Sequence, residues 1–225
     1  MSEISGNRDI NETRTPEVEN YKEIKADRES RPEDARNYLD NLFDDEIEDD
    51  EIPKVENPHQ EDVDGKTYYY DDNGKLYRVE NDLAPNTEYE INRYKYKTDD
   101  SGRIVSAEGT LHMKDRDGRL PIKDSIEDIG KGDQRDGDDR GHLIGDQFDG
   151  SNGLENMIPQ DANVNRNDFK NFENELAKEV RDGKEVYVKI EPVYDGDSRR
   201  PVAIVVTYSI DGEESMRFFP NGQEE

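Results

Sequence analysis

The chain has 225 residues, with 58 acidic against 31 basic side chains, a net charge of −27, 29% hydrophobic residues and no cysteine. Without cysteine there is no disulfide framework and no thiolate metal centre, and no apolar run reaches the roughly 18 residues that a membrane-spanning helix needs. The acidic excess also weighs against a protein that grips a polyanion with its whole surface.

The polarity is unevenly spread. Residues 1–65 hold 22 acidic and 8 basic side chains, against 36 and 23 in residues 66–225. The first segment offers too little apolar area to offset chain entropy, so it is expected to be acidic and largely flexible. Its start, Met1-Ser2-Glu3-Ile4-Ser5, has neither a basic lead nor an apolar core, so no classical signal peptide is expected. One short helix is expected over residues 32–43, where Ala35, Tyr38, Leu39 and Leu42 share a face. The run from Asp44 to Glu51, seven acids and one isoleucine, reads first as a solvated charge block. It would equally suit a mimic of nucleic acid that shields a site, or a dock for a basic partner.

From Lys66 onward the pattern changes to period two. Thr67 to Tyr70 and Leu76 to Val79 flank Asp72-Asn73-Gly74, a hairpin signal because Asn-Gly tolerates the positive φ of a tight turn. Tyr89, Ile91, Tyr94 and Tyr96 predict the next strand, which turns at Asp99-Asp100-Ser101-Gly102 and returns through Ile104 to Leu111. On alternating strands these tyrosines are expected to pack half-buried, with stacking on bases the rarer use. Residues 115–138, rich in Gly and Asp, predict loop, and no spacing there matches the twelve-residue EF-hand cation loop.

A helix is expected after Asn165. Phe169, Phe172, Leu176 and Val180 form one apolar stripe, and at about 100° per residue Asn165 and Glu173 edge that stripe. Polar groups turned towards a core need a partner, and a hydrated cation would be one. Asp182-Gly183-Lys184 ends the helix, and strands over 186–194, 202–210 and 216–219 are expected to form a meander.

The chemistry-bearing spacing is His142, Asn156, Asn165 and Glu173, at intervals of 14, 9 and 8 residues. Histidine suits a general base because its ordinary pKa, about 6.5, leaves it largely neutral near pH 7. A neutral Asn165 would anchor a hard cation without cancelling its charge, and Glu173 would hold the cation's waters. Asn156 would fix either the adjoining loop or the His142 ring, whose second nitrogen is expected on a backbone carbonyl. Arg140 would either pair with Asp139 or grip a phosphate. Gly141 is expected to let the backbone pass close to a substrate. Lys131, Arg135 and Arg166 complete a candidate basic strip, with Arg135 and Arg166 on substrate. Asp146 and Asp149 add negative charge beside the site, against substrate affinity.

The words DDRGHLIGDQFDG, LENMIPQDANVNRNDF and FENELAKEV resemble the DNA/RNA non-specific endonucleases of the ββα-metal (His-Me finger) superfamily. The resemblance is specific over residues 138–180 and weaker over the flanks, roughly residues 85–221. It implies an α+β fold, mainly antiparallel sheet, with a ββα-metal motif and one principal amphipathic helix. Residues 66–225 would be the nuclease domain. It also implies catalytic roles for His142, Asn156, Glu173 and Arg140, with Mg²⁺ or Mn²⁺ on Asn165. The reaction would be hydrolysis of DNA, and of RNA in some relatives, to 5′-phosphate ends. One departure is Asn167-Asp168, where many relatives carry a glycine and a small or acidic residue. Within the superfamily the chain most resembles the toxic C-terminal domains of bacterial polymorphic toxins. That implies secretion by a non-classical route, with the cytoplasm as the alternative, and a cognate immunity protein as partner; no membrane partner is expected. The competing function is an acidic binding module or nucleic-acid mimic that keeps the fold without turnover, motivated by the charge of −27.

Overall fold

The computed structural model describes residues 59–222, so the expected helix over 32–43 and the acidic run 44–51 lie outside the described residues. Among the described residues twelve strands form three antiparallel sheets. The first sheet runs β1 (His59–Val63), β2 (Lys66–Tyr70), β3 (Leu76–Val79) and β4 (Asp82–Leu83). Strand β1 pairs with β2 from His59↔Tyr70 to Val63↔Lys66, so ordered sheet begins ahead of the Lys66 boundary read from the pattern. Its His-Gln-Glu-Asp-Val sequence has no apolar alternation, because ladder bonding holds it there more than packing does.

The second sheet has six strands in the order β12-β11-β10-β7-β6-β5. These are β5 (Glu88–Ile91), β6 (Tyr94–Thr98), β7 (Ile104–Thr110), β10 (Val186–Val193), β11 (Ala203–Ile210) and β12 (Glu213–Pro220). The strand expected across Tyr89 to Tyr96 is two strands, because Asn92 and Arg93 take positive φ (53° and 70°) and reverse the chain. Two consecutive left-handed residues without a glycine gave no strong turn signal. The meander β10-β11-β12 is present as expected.

Tyr94, Tyr96, Ala107, Val188, Ile204 and Val206 are buried on the inner face of this sheet. Tyr77 stacks on Tyr89 at 4.7 Å and Tyr89 on Tyr96 at 5.2 Å. These rings are core packing between the two sheets, and none is offered to a base.

The third sheet is a two-stranded ribbon of β8 (Asp138–His142) and β9 (Met157–Asp161), in register from Asp138↔Asp161 to His142↔Met157. The loop expected over 115–138 contains a short helix α1 (Ile126–Gly130), started by a Ser125–Asp128 capping box. After β9 the chain winds through π-helical turns at Val164–Phe169 into helix α2 (Lys170–Arg181). The ribbon and this helix together make the ββα unit. The wider π turns shift the phase of Asn165 against the α-helical count made from sequence.

The expected stripe holds. Phe169, Phe172 and Leu176 are buried, and Val180 packs at its edge. Phe169 and Phe172 meet Phe219 of β12 at 5.1 and 5.5 Å, and Phe172 meets Tyr208 of β11 at 5.2 Å. This aromatic cluster anchors the helix to the six-stranded sheet. Phe172→Ala should therefore cost about 3–5 kcal/mol, read as a lower urea midpoint with an unchanged slope.

Candidate active site

The ribbon begins with two aspartates, and each is taken by an arginine from elsewhere in the fold. Asp138 accepts from Arg200 Nε (2.7 Å) and Nη2 (2.9 Å), joining β8 to the approach to β11. Asp139 accepts from Arg166 Nε (2.7 Å) and Nη2 (2.6 Å), and from Asn165 Nδ2 (3.0 Å). The Arg166 guanidinium, followed by the Asn165 amide, holds the Asp139 carboxyl below its usual range. Asp139 thus ties the π-helical turn to β8. It also turns Asn165, whose nitrogen is engaged, so that the amide oxygen is the atom left for a cation.

Gly141 follows. A Cβ there would lie 2.1 Å from Gln160 Oε1, so the glycine makes room for the Gln160 side chain of the paired strand. The expected close passage of substrate gives way to this packing reason. Next comes His142, buried at 7% exposure. No hydrogen bond from its ring to a backbone carbonyl is present among the described residues, so packing, and not the expected carbonyl, orients it.

The loop after His142 is gripped by Asn156, which is fully buried. The Ile144 N–H donates to Asn156 Oδ1 (2.9 Å), while Asn156 Nδ2 donates to Ile144 O and Ser151 O (2.8 Å each). The Leu143 N–H donates to Asn156 O at 2.9 Å. Of the two uses foreseen for Asn156, these bonds are those of the loop.

Asp146 lies just beyond, with Lys114 Nζ at 2.5 Å and Arg116 Nη2 at 2.7 Å; Arg116 Nε stands 3.3 Å from Asp149. The negative charge expected beside the site is therefore paired with basic side chains, and these contacts tie the segment 114–120 to the turn after β8. Arg119, exposed on that segment, acts electrostatically on both His142 and Glu173, as does Asp146. The two side chains thus lie in the field of the same two charges, with Gly145, three residues after His142, packed against the Glu173 carboxyl.

Burial first, then the Arg119 charge, pushes the His142 pKa down to about 4, with Asp146 opposing and Arg140 adding to the fall. The imidazole is thus neutral, and competent to accept a proton, across the physiological range. Glu173 on α2 is half-buried. Burial, reinforced by Asp146 and opposed by Arg119 and Lys170, pushes its carboxyl up to about 7. Gly145 is the floor beneath it, since a Cβ there would stand 2.3 Å from Glu173 Oε1. No hydrogen bond or ion pair reaches the Glu173 carboxylate among the described residues.

A partly desolvated carboxylate without a partner among the described residues fits a hydrated cation. Among the described residues no three His, Cys, Asp or Glu side chains converge to hold an ion, so a cation here would rest on Asn165 and on water. That donor set suits a hard, strongly hydrated ion.

The other expected residues lie as follows. Arg140 is exposed and donates to Asp124 O (3.0 Å); it does not pair with Asp139. Arg166, expected on substrate, is committed to Asp139. Arg135 stands at the far end of the ribbon from His142, its backbone N–H on Asp138 Oδ2 (2.8 Å). Lys131 pairs with Asp82 at 3.1 Å. Of the other histidines, His112 stacks on Tyr94 at 5.2 Å. Arg119 was missed from sequence because it sits in an irregular segment, and only the Asp146 ion pairs bring it to the site.

A family model described as DNA/RNA non-specific endonuclease matches residues 85–212. The type VII secretion system protein EssD of Staphylococcus aureus strain USA300 is 35% identical over 144 residues, which is 60% of this chain and 23% of that protein. The same figures hold for EssD of strain NCTC 8325, so the chain spans less than a quarter of the curated relatives' length. Among solved structures, NucA from Streptococcus agalactiae with magnesium bound is similar at 17% identity and a TM-score of 0.44, over 85% of this chain and 91% of that chain. With the family match covering the ββα unit whole, the chain belongs to the DNA/RNA non-specific endonuclease family.

Proposed function

We propose that this endonuclease is metal-dependent, cuts DNA and RNA alike to 5′-phosphate ends, and serves as a secreted antibacterial toxin domain. The observation that supports the mechanism is that Gly145, three residues after His142, packs against the Glu173 carboxyl, with Arg119 and Asp146 acting on both side chains. In this reading the neutral His142 takes the proton from the attacking water. Arg119 and Arg140 place positive charge where the phosphate gains negative charge. Asn165 would hold Mg²⁺ or Mn²⁺ through its amide oxygen, and Glu173 would accept hydrogen bonds from the ion's waters. When bound, such an ion supplies charge neutralisation at the phosphate and at the departing 3′-oxygen. Asn156 keeps the loop beneath these groups fixed.

The nuclease domain in this reading is residues 66–225 with β1 added in front, preceded by the acidic segment. The toxin role is supported by the likeness to EssD, a type VII secretion system protein by name, and an immunity protein would be its natural partner. No helix among the described residues is long and apolar enough to cross a membrane.

Incubation of the protein with plasmid DNA and with RNA, each with magnesium, tests the activity. Cleavage of both is expected; excess chelator should stop it, and His142→Ala should lower the rate by about 10²–10⁴-fold, the usual worth of a general base. Undiminished cutting by that variant would remove the mechanism. Cytosolic expression should be lethal to bacteria for the wild type and harmless for His142→Ala.

The raised Glu173 pKa makes a separate prediction about stability. A carboxyl whose folded pKa lies above its unfolded value favours the fold at low pH, and that contribution is lost as pH rises from about 4.5 to about 7. Wild type should therefore lose up to about 3 kcal/mol relative to Glu173→Gln across that interval in metal-free buffer. Urea melts at pH 4 and pH 8 measure it, and an equal response of the two proteins would show that the carboxyl is not desolvated.

A further inference from the structure

Strand β3 lies ahead of the segment that matches the endonuclease family, residues 85–212, yet one of its side chains reaches under the active site. Arg78 is 4% exposed. It forks onto Asp124 through Nη1 (3.1 Å) and Nη2 (2.5 Å), extends Nη1 to Glu155 Oε2 (3.2 Å) and donates Nε to Glu80 O (2.6 Å). Its guanidinium also lies over the Tyr69 ring at 4.3 Å. Both carboxylates are themselves buried. Without the guanidinium, two negative charges would share one desolvated space, an arrangement that is strongly unfavourable.

What the two acidic residues hold, through side chain and backbone, decides the consequence. Asp124 Oδ2 accepts the Leu154 N–H (2.7 Å), and Asp124 O accepts from Arg140 Nη1 (3.0 Å). Glu155 immediately precedes Asn156 and is hydrogen-bonded by Ser151 Oγ, while Ser151 O is one of the groups that Asn156 grips. The network therefore ends on Arg140 and on the carboxamide that fixes the loop after His142. A purely structural staple elsewhere in the fold has no such endpoint. Arg103, for example, is equally buried and forks between Asp99, Gly196 O and Ser198 O at the β6–β7 turn.

We propose that Arg78 is a positioning residue for the endonuclease reaction, setting the placement of Arg140 and of the His142 loop through Asp124 and Glu155. The N-terminal sheet is thereby a working part of the catalytic unit. The proposal rests on the catalytic reading of His142.

The test compares Arg78→Lys with Arg103→Lys in the full-length protein. Lysine keeps the charge and loses the fork in both. Both variants should melt lower by similar amounts, and Arg78→Lys should lose about ten-fold or more in kcat with KM within about two-fold. Arg103→Lys should keep kcat within about two-fold of wild type. The His142 ring, titrated by NMR with the signal assigned from His142→Ala, should shift its midpoint upward in Arg78→Lys as its burial against Arg119, Arg140 and Asp146 loosens. Equal kcat losses in the two variants, or an unmoved titration with full kcat in Arg78→Lys, would overturn the proposal. Should Arg78→Lys not fold, Glu155→Gln is read in the same way, with a smaller kcat loss expected. Full activity of His142→Ala would instead refute the catalytic reading, and the titration would still judge Arg78.

Discussion

The carboxamide of Asn156 is the interaction on which the site depends. It is fully buried and closes on the N–H and carbonyl of Ile144 and the carbonyl of Ser151. These are backbone groups that a buried loop cannot leave unpaired. Each of the three bonds is ordinary, but together they fix the chain direction immediately after His142. Gly145 then passes close under Glu173, and Asp146 is delivered to Lys114 and Arg116. A different course for that loop would separate the histidine, the glutamate and the arginine-bearing segment at once.

A second constraint is electrostatic. A protein with a net charge of −27 has to present phosphate with a site that does not repel it. The fold achieves this by pairing the carboxylates around the ribbon: Asp138 with Arg200, Asp139 with Arg166, Asp146 with Lys114 and Arg116, and Asp124 with Arg78. Most of these pairs are at least partly buried, so salt screens them less than it screens surface charge. Arg119 and Arg140 are left exposed, and the charge of both reaches His142. The acidity of the whole chain is thus compatible with a locally positive site, which a count of residues by itself could not show.

Burial drives the pKa values of two titratable groups in opposite senses: the His142 imidazole towards its neutral form and the Glu173 carboxyl towards protonation. Both shifts follow from one cause, since a desolvated site disfavours whichever form is charged. For the histidine the outcome is an imidazole that stays neutral over a wide pH range. For the glutamate it is a carboxylate that gains more from a nearby cation than an exposed one would.

Much was legible in the sequence because the relevant signals are local. The Asn73-Gly74 hairpin, the β10-β11-β12 meander, the aromatic stripe of α2 and the spacing from His142 to Glu173 each depend on residues near one another in the chain. The α+β class and the endonuclease family follow from them. Partners distant in sequence were decided only by the tertiary structure. Arg166 rather than Arg140 took Asp139, Asn156 turned inward to the loop, Arg119 arrived on a segment held by Asp146, and Arg78 reached Glu155 across 77 residues. The physical reason is the same throughout. Which opposite charge or open backbone group a side chain meets depends on how sheets and loops stack, and chain-local pattern holds no record of that distance.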